Sequence, residues 1–377
     1  MISALLEDTS IENFEEALRS LEKRASSIII LSCHNDFSQQ ALNPILKQTS
    51  VPLIGGIFPS IIYQNKHYMQ GTILLGIDTP LDVTILKDIH QKNDYEKVIE
   101  EQTTLIKDDT QTMFLFFDGL STNINKIVQA LFNNFGLSIN YIGGAAARLE
   151  GIKPIASPVL FSNEGLLQHA ALLASTPSQS TIGVQHGLEP IENDNYQVTK
   201  SEGNILYEID YQPAFQLYKK LIESHLNENF EKFDEEDFLK RAITYPLGII
   251  RLSGESIVRT ALAVQEDNSL ICTGDISENA LIQILHAKNE NLIKAASLAS
   301  QVSRNSRYHT NFNLYFTCLA RILILGEEFQ QEIDTVYQEG TLLVGAVSMG
   351  EIANNKDHYL ELYNATTVVA NIDDTSG

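Results

Sequence analysis

Residues 139–148 read INYIGGAAAR and residues 51–60 read VPLIGGIFPS. Both contain a short apolar run that ends on Ile-Gly-Gly, the pattern of a buried strand rather than of a helix. Each follows the same preamble. SIIILSC (27–33) is another strand-like run, and a polar stretch leads from it into a helix-like segment, 37–48, before VPLIGG. TMFLFFD (112–118) leads into a helix from Thr122 whose Ile124, Ile127, Val128, Leu131, Phe132 and Phe135 form one apolar stripe at helical spacing, and INYIGG follows. A further strand closes each copy, GTILLGI (71–77) and LLQHAALLAS (166–175).

Two more copies are predicted. In the third, NILYEID (204–210) precedes a helix with Pro213 in its first turn, then YPLGII (245–250) and IVRTALAV (257–264). In the fourth, NLYFTC (313–318) precedes a helix carrying Phe329, Ile333, Val336 and Tyr337, then TLLVGAV (341–347) and ATTVVANI (365–372). The expected fold is α/β, with mixed sheets and layered helices. Its β-α-β-β units repeat in two halves, 1–180 and 181–377, joined in the Pro-, Gly- and Asn-Asp-punctuated stretch 177–196. The glycines have two readings. They let backbone pack closely, or Gly55, Gly56, Gly143 and Gly144 floor a ligand crevice at the strand ends, where open α/β sheets bind.

Composition narrows the partners. A 377-residue chain with 44% hydrophobic residues can bury a sizeable core, and 26 basic against 48 acidic residues leave a net charge of −22. That charge repels phosphate backbones and anionic headgroups, and no basic patch offsets it, so neither nucleic acid nor a membrane surface is an expected partner. No apolar run approaches the ~20 residues of a membrane helix. Glu7 and Asp8 come too early for a signal peptide, and Cys33, Cys272 and Cys318 lack paired spacing. Free thiols and a cytoplasmic location are the expectation.

Catalytic signatures are absent. There is no nucleotide-binding glycine motif, no G-x-S-x-G, no H-E-x-x-H and no C-x-x-C, so no enzymatic activity is expected. Cys33 beside His34 comes nearest to a nucleophile and base, yet adjacent residues on an extended chain point to opposite faces. The acidic segment 223–238, ESHLNENFEKFDEEDF, carries Phe230, Phe233 and Phe238 at near-helical spacing. It reads as a solvated helix with an apolar inner stripe, the alternative being an acidic docking surface.

The order and spacing of these fragments resemble the FIST (F-box and intracellular signal transduction) family of bacterial sensory domains over nearly the whole chain. IIILSCHNDF, VPLIGG, TMFLFFDGLS and YIGGAAA resemble its N-terminal part; YPLGI, YFTCLAR, GAVSMGEI and LYNATTVV resemble its C-terminal part. The resemblance implies a non-catalytic sensor of a small metabolite such as an amino acid. Such a sensor regulates a separate signalling enzyme in trans, a histidine kinase or a cyclic-dinucleotide enzyme, as in a two-component system. The alternative it implies is the family's haem-binding, nitric-oxide-sensing branch, with haem b held without covalent attachment. A homodimer is left open.

Within those motifs, Arg321 of CLAR and Glu351 of MGEI would grip the carboxylate and ammonium of an amino acid, with Cys318 and Gly350 beside them. The competing expectation is that Arg321 and Glu351, on neighbouring strands, pair with each other. His186 in QHGL is the candidate haem axial ligand, or else a hydrogen-bonded loop histidine; His34 is a second candidate.

Overall fold

The computed structural model describes residues 1–8, 10–33, 38–91, 94–102, 107–229, 235–251, 255–305, 312–354 and 359–373. It is an α/β architecture of mixed sheets. Three of the four predicted copies are built alike. Ser27–Ser32 runs parallel to Leu53–Ile57, Thr112–Asp118 to Asn140–Ala146, and Phe312–Cys318 to Leu342–Ser348. On its other side the first strand of each pair takes an antiparallel partner, Thr72–Ile77, Ala171–Thr176 and Thr367–Ile372 respectively. A parallel pair needs a crossover connection, and helices Gln39–Lys47, Ile124–Phe135 and Phe329–Val336 provide it. Each unit centres a six-stranded sheet.

The glycines make this repeat possible in two ways. Gly55, Gly143 and Gly345 lie in register with Ile30, Leu115 and Tyr315 of the parallel neighbour. A Cβ on them would fall 2.0, 1.7 and 2.2 Å from those residues' carbonyl oxygens, so only glycine fits. Gly56 and Gly144 instead let sheet meet sheet. A Cβ on Gly56 would touch Phe58 and Ala146, and one on Gly144 would touch Ser348 and Phe316. Around that junction Phe58, Phe116 and Phe316, one from each unit, pack with centroids 5.9–6.1 Å apart.

The third copy is a correction. Ile205–Ile209 and Leu247–Ile249 are not neighbours; both lie in a nine-stranded sheet whose pairings are all antiparallel. Gly248 there faces the Leu285 side chain rather than a strand carbonyl. A short apolar run announces a strand but not its partner, so the motif misled. The expected helix does form, as Ala214–Leu226, but Pro213 is its N-cap rather than a residue of its first turn. The acidic segment is not one helix either: that helix ends with Asn227 in the left-handed conformation, and a second helix starts at Glu235. Phe230 and Phe233 lie outside the described residues.

The chain also exchanges strands between its early and late parts. Ser60–Tyr63 and Lys66–Tyr68 extend the Phe312–Cys318 sheet, while Glu351–Ala353 and Glu361–Tyr363 extend the Thr112–Asp118 sheet. No helix among the described residues is long and apolar enough to cross a membrane.

Candidate functional site

Arg321 lies on the short helix Leu319–Leu325, not on a strand beside Glu351, and it is fully buried. All five of its N–H groups have acceptors. Nε and Nη2 grip the Glu332 carboxylate at 2.8–3.2 Å, Nη2 also reaches the Leu292 carbonyl, and Nη1 donates to the carbonyls of His186 and Ala365. Glu332, equally buried, accepts from Tyr315, Thr317 and Thr367 as well. Burial alone would lower the Arg321 pKa, but Glu332 outweighs it and holds the guanidinium charged. The expectation that Arg321 pairs with Glu351 is therefore corrected: its counter-ion is Glu332. This arginine ties four chain segments together and has no donor to spare.

Glu351 is buried on its own, accepting from Ser348 Oγ at 2.6 Å and from the Thr366 N–H at 3.3 Å. Burial pushes its carboxyl up to about 8, against the pull of those hydrogen bonds and of Arg321. Cys318 is buried, and burial drives its thiol pKa far upward. Gly350 is covered by Leu362. The space in front of Gly55, Gly56, Gly143 and Gly144 holds protein atoms, so their close-packing reading describes them and the crevice reading does not. Cys33 is buried, its thiol pushed up to about 12 by burial; His34 lies outside the described residues.

His186 sits where the chain leaves strand Ser180–Gln185 for the antiparallel sheet. Its Nδ1 accepts from the Leu188 N–H at 2.8 Å, which leaves the neutral ring's proton on Nε2. Nε2 is buried without a hydrogen-bond partner among the described residues, 3.8 Å from Glu255 Oε2, which already accepts the His186 backbone N–H. Burial lowers the His186 pKa, Glu255 opposing and Arg321 assisting. A haem iron needs an accessible imidazole nitrogen and an apolar slot for the macrocycle; here one nitrogen is bonded and the other is closed in against a carboxylate. The residues present do not fit a haem at His186.

The structure opens a different place. A cleft of about 450 Å³ runs along helix Ile124–Phe135, walled opposite by strands Leu247–Ile249 and Ile257–Arg259, by the 275–280 loop and by residues 359–361. Apolar side chains such as Val128, Phe132 and Ile257 line it beside polar ones, and its volume lies within the roughly 300–1,000 Å³ of small-molecule sites. Two arginines reach across at its edge: Arg251, just past strand Leu247–Ile249, pairs with Glu361, and Arg259, on strand Ile257–Arg259, donates to the Leu362 carbonyl. Sequence reasoning missed both, although an arginine inside the apolar strand IVRTALAV is itself a signal, since buried charge is rare without a purpose.

Sequence profiles of the FIST N domain match residues 27–212 and of the FIST C domain residues 214–354. The chain belongs to the FIST family, whose domains are sensory modules of signal transduction. It is also similar to an uncharacterized protein of Methanocaldococcus jannaschii, 22% identical over 348 residues, covering 86% of this chain and 66% of that protein. The chain thus spans just under two thirds of the length of that relative.

Proposed function

We propose that this FIST-family chain is a cytoplasmic, non-catalytic sensor that binds a small metabolite, an amino acid, in the cleft along helix Ile124–Phe135 and regulates a separate signalling enzyme in trans. The observation that carries this is the cleft's position. One wall belongs to the Thr112–Asp118 unit and the other to the antiparallel sheet, so an occupant touches both. A ligand that binds one relative pose of two walls better than another shifts the population toward it, which is what a sensor requires. The polar and apolar lining suits a molecule with a charged end and a hydrocarbon body. The net charge of −22 makes a protein enzyme, a histidine kinase or a cyclic-dinucleotide enzyme, a better recipient of the signal than nucleic acid or membrane. The haem reading loses its first candidate ligand at His186, while His34, the second, lies outside the described residues.

Thermal-shift and calorimetric titration of the purified chain with the full set of free amino acids tests the reading. Saturable binding that raises the melting temperature is expected for at least one; a flat response across the set overturns it.

A further inference from the structure

Arg259 is only 4% exposed, yet no carboxylate among the described residues lies within ion-pairing distance of it. Its Nε donates to the Asp275 carbonyl and its Nη1 to the carbonyls of Val258 and Leu362 and, at 3.5 Å, to Asn364 Oδ1, while Nη2 has no acceptor among the described residues. Arg259 lines the cleft. So does Asn125, whose side-chain amide has no partner there either. The two converge over Gly274, where a Cβ would sit 2.8 Å from Arg259 Nε and 3.2 Å from Asn125 Nδ2. Asn125 lies in the first turn of helix Ile124–Phe135, which contains no acidic residue and no side-chain cap to offset the helix's positive end. A buried guanidinium with an open edge, an unpartnered amide and an uncompensated helix start all ask for the same thing, an anion.

We infer that Arg259 and Asn125 form a carboxylate-binding subsite in the cleft, made for a compact carboxylic acid with an apolar body. The planar guanidinium edge matches a carboxylate. Asp275 and Glu361 already place negative charge near Arg259, so a monoanion is tolerated where a phosphate dianion is repelled. Val128, Phe132 and Ile257 receive the hydrocarbon part. The assignment deepens the sensor reading, and it is tested separately from it.

Leucine and phenylalanine, each beside its des-amino acid and its decarboxylated amine, together with inorganic phosphate, are titrated calorimetrically into the wild-type chain and into Arg259→Lys and Asn125→Ala. Carboxylate-bearing members of at least one series bind, while the amines and phosphate do not. Both substitutions weaken binding about tenfold or more, as the loss of a hydrogen bond to a charged group does. Asn125 is half-buried and its side chain makes no hydrogen bond among the described residues, so its alanine variant stays folded and keeps the test decisive if Arg259→Lys does not fold. Carboxylates that bind both variants as tightly as wild type overturn the subsite while leaving the sensor reading intact. Amines that bind as well as the acids, or phosphate that binds through Arg259, overturn the carboxylate assignment. If no carboxylate binds at all the subsite falls, and the sensor reading then rests on the full amino-acid set.

Discussion

Arg321 and Arg259 are both buried arginines, and they are opposites. Arg321 spends every donor inside the protein and faces a carboxylate as buried as itself. Arg259 donates to backbone carbonyls and to the Asn364 side chain, pairs with no carboxylate among the described residues, has no acceptor for Nη2 among them, and lines a cleft. A closed, fully bonded arginine holds a fold together. One with an unused edge at a cleft has bonding capacity left for a ligand. The motif-borne residue is the structural one.

The comparison breaks most directly on stability. Arg321→Met strands the Glu332 carboxylate in the core and should cost about 3–5 kcal/mol in urea unfolding. Arg259→Met strands no buried counter-ion and should cost less, about 1–2 kcal/mol of lost hydrogen bonding. Equal losses, or the reverse order, would erase the distinction.

The same contrast runs through the glycines. Gly143→Ala drives a Cβ to 1.7 Å from a strand carbonyl and should cost about 3 kcal/mol or more, because backbone rather than a side chain must yield. Gly248→Ala meets the Cγ and both Cδ atoms of the buried Leu285 at 2.6–3.0 Å, a side chain rather than backbone, and should cost less, about 1–2 kcal/mol. Urea midpoints of the two variants decide whether the parallel units and the antiparallel sheet differ as described.

Glu351 sharpens the picture through pH. Its native pKa is raised from 4.5 to about 8, so between those values the folded state keeps a proton that the unfolded state has released. Its contribution is complete below pH 4.5 and is lost as pH rises through about 8. Glu351→Gln should remove that part of the decline and leave stability flatter over this window; an unchanged pH profile would mean the carboxyl is not held neutral. The smallest effect concerns the thiols. With Cys33 and Cys272 pushed up to about 12 by burial, native protein at neutral pH should resist alkylation, and rapid labelling before unfolding would contradict their closure.

Much of the fold was legible because parallel pairing recurs with one rigid requirement, a glycine where a neighbour's carbonyl leaves no room for Cβ. YPLGII copied the letters without the requirement, since Gly248 answers to a side chain. Glu332 was within reach too: it shares a helical face with Phe329, Ile333 and Val336, and an acid inside an apolar stripe implies a buried cation nearby. The cleft was not legible. Arg259 and Gly274 meet through the pairing of Ala261–Val264 with Leu270–Cys272, but Asn125 is far from both in the chain, and only the docking of helix Ile124–Phe135 against the antiparallel sheet makes it their neighbour.

A crystal structure of the protein with its tightest-binding amino acid tests the central claim most directly. A carboxylate is expected against Arg259 Nη2 and Asn125, with the side chain along Val128 and Phe132, and with Arg321 still bonded to Glu332. A ligand instead held by Arg321 or Glu351, or lodged against Gly55 or Gly143, would contradict it.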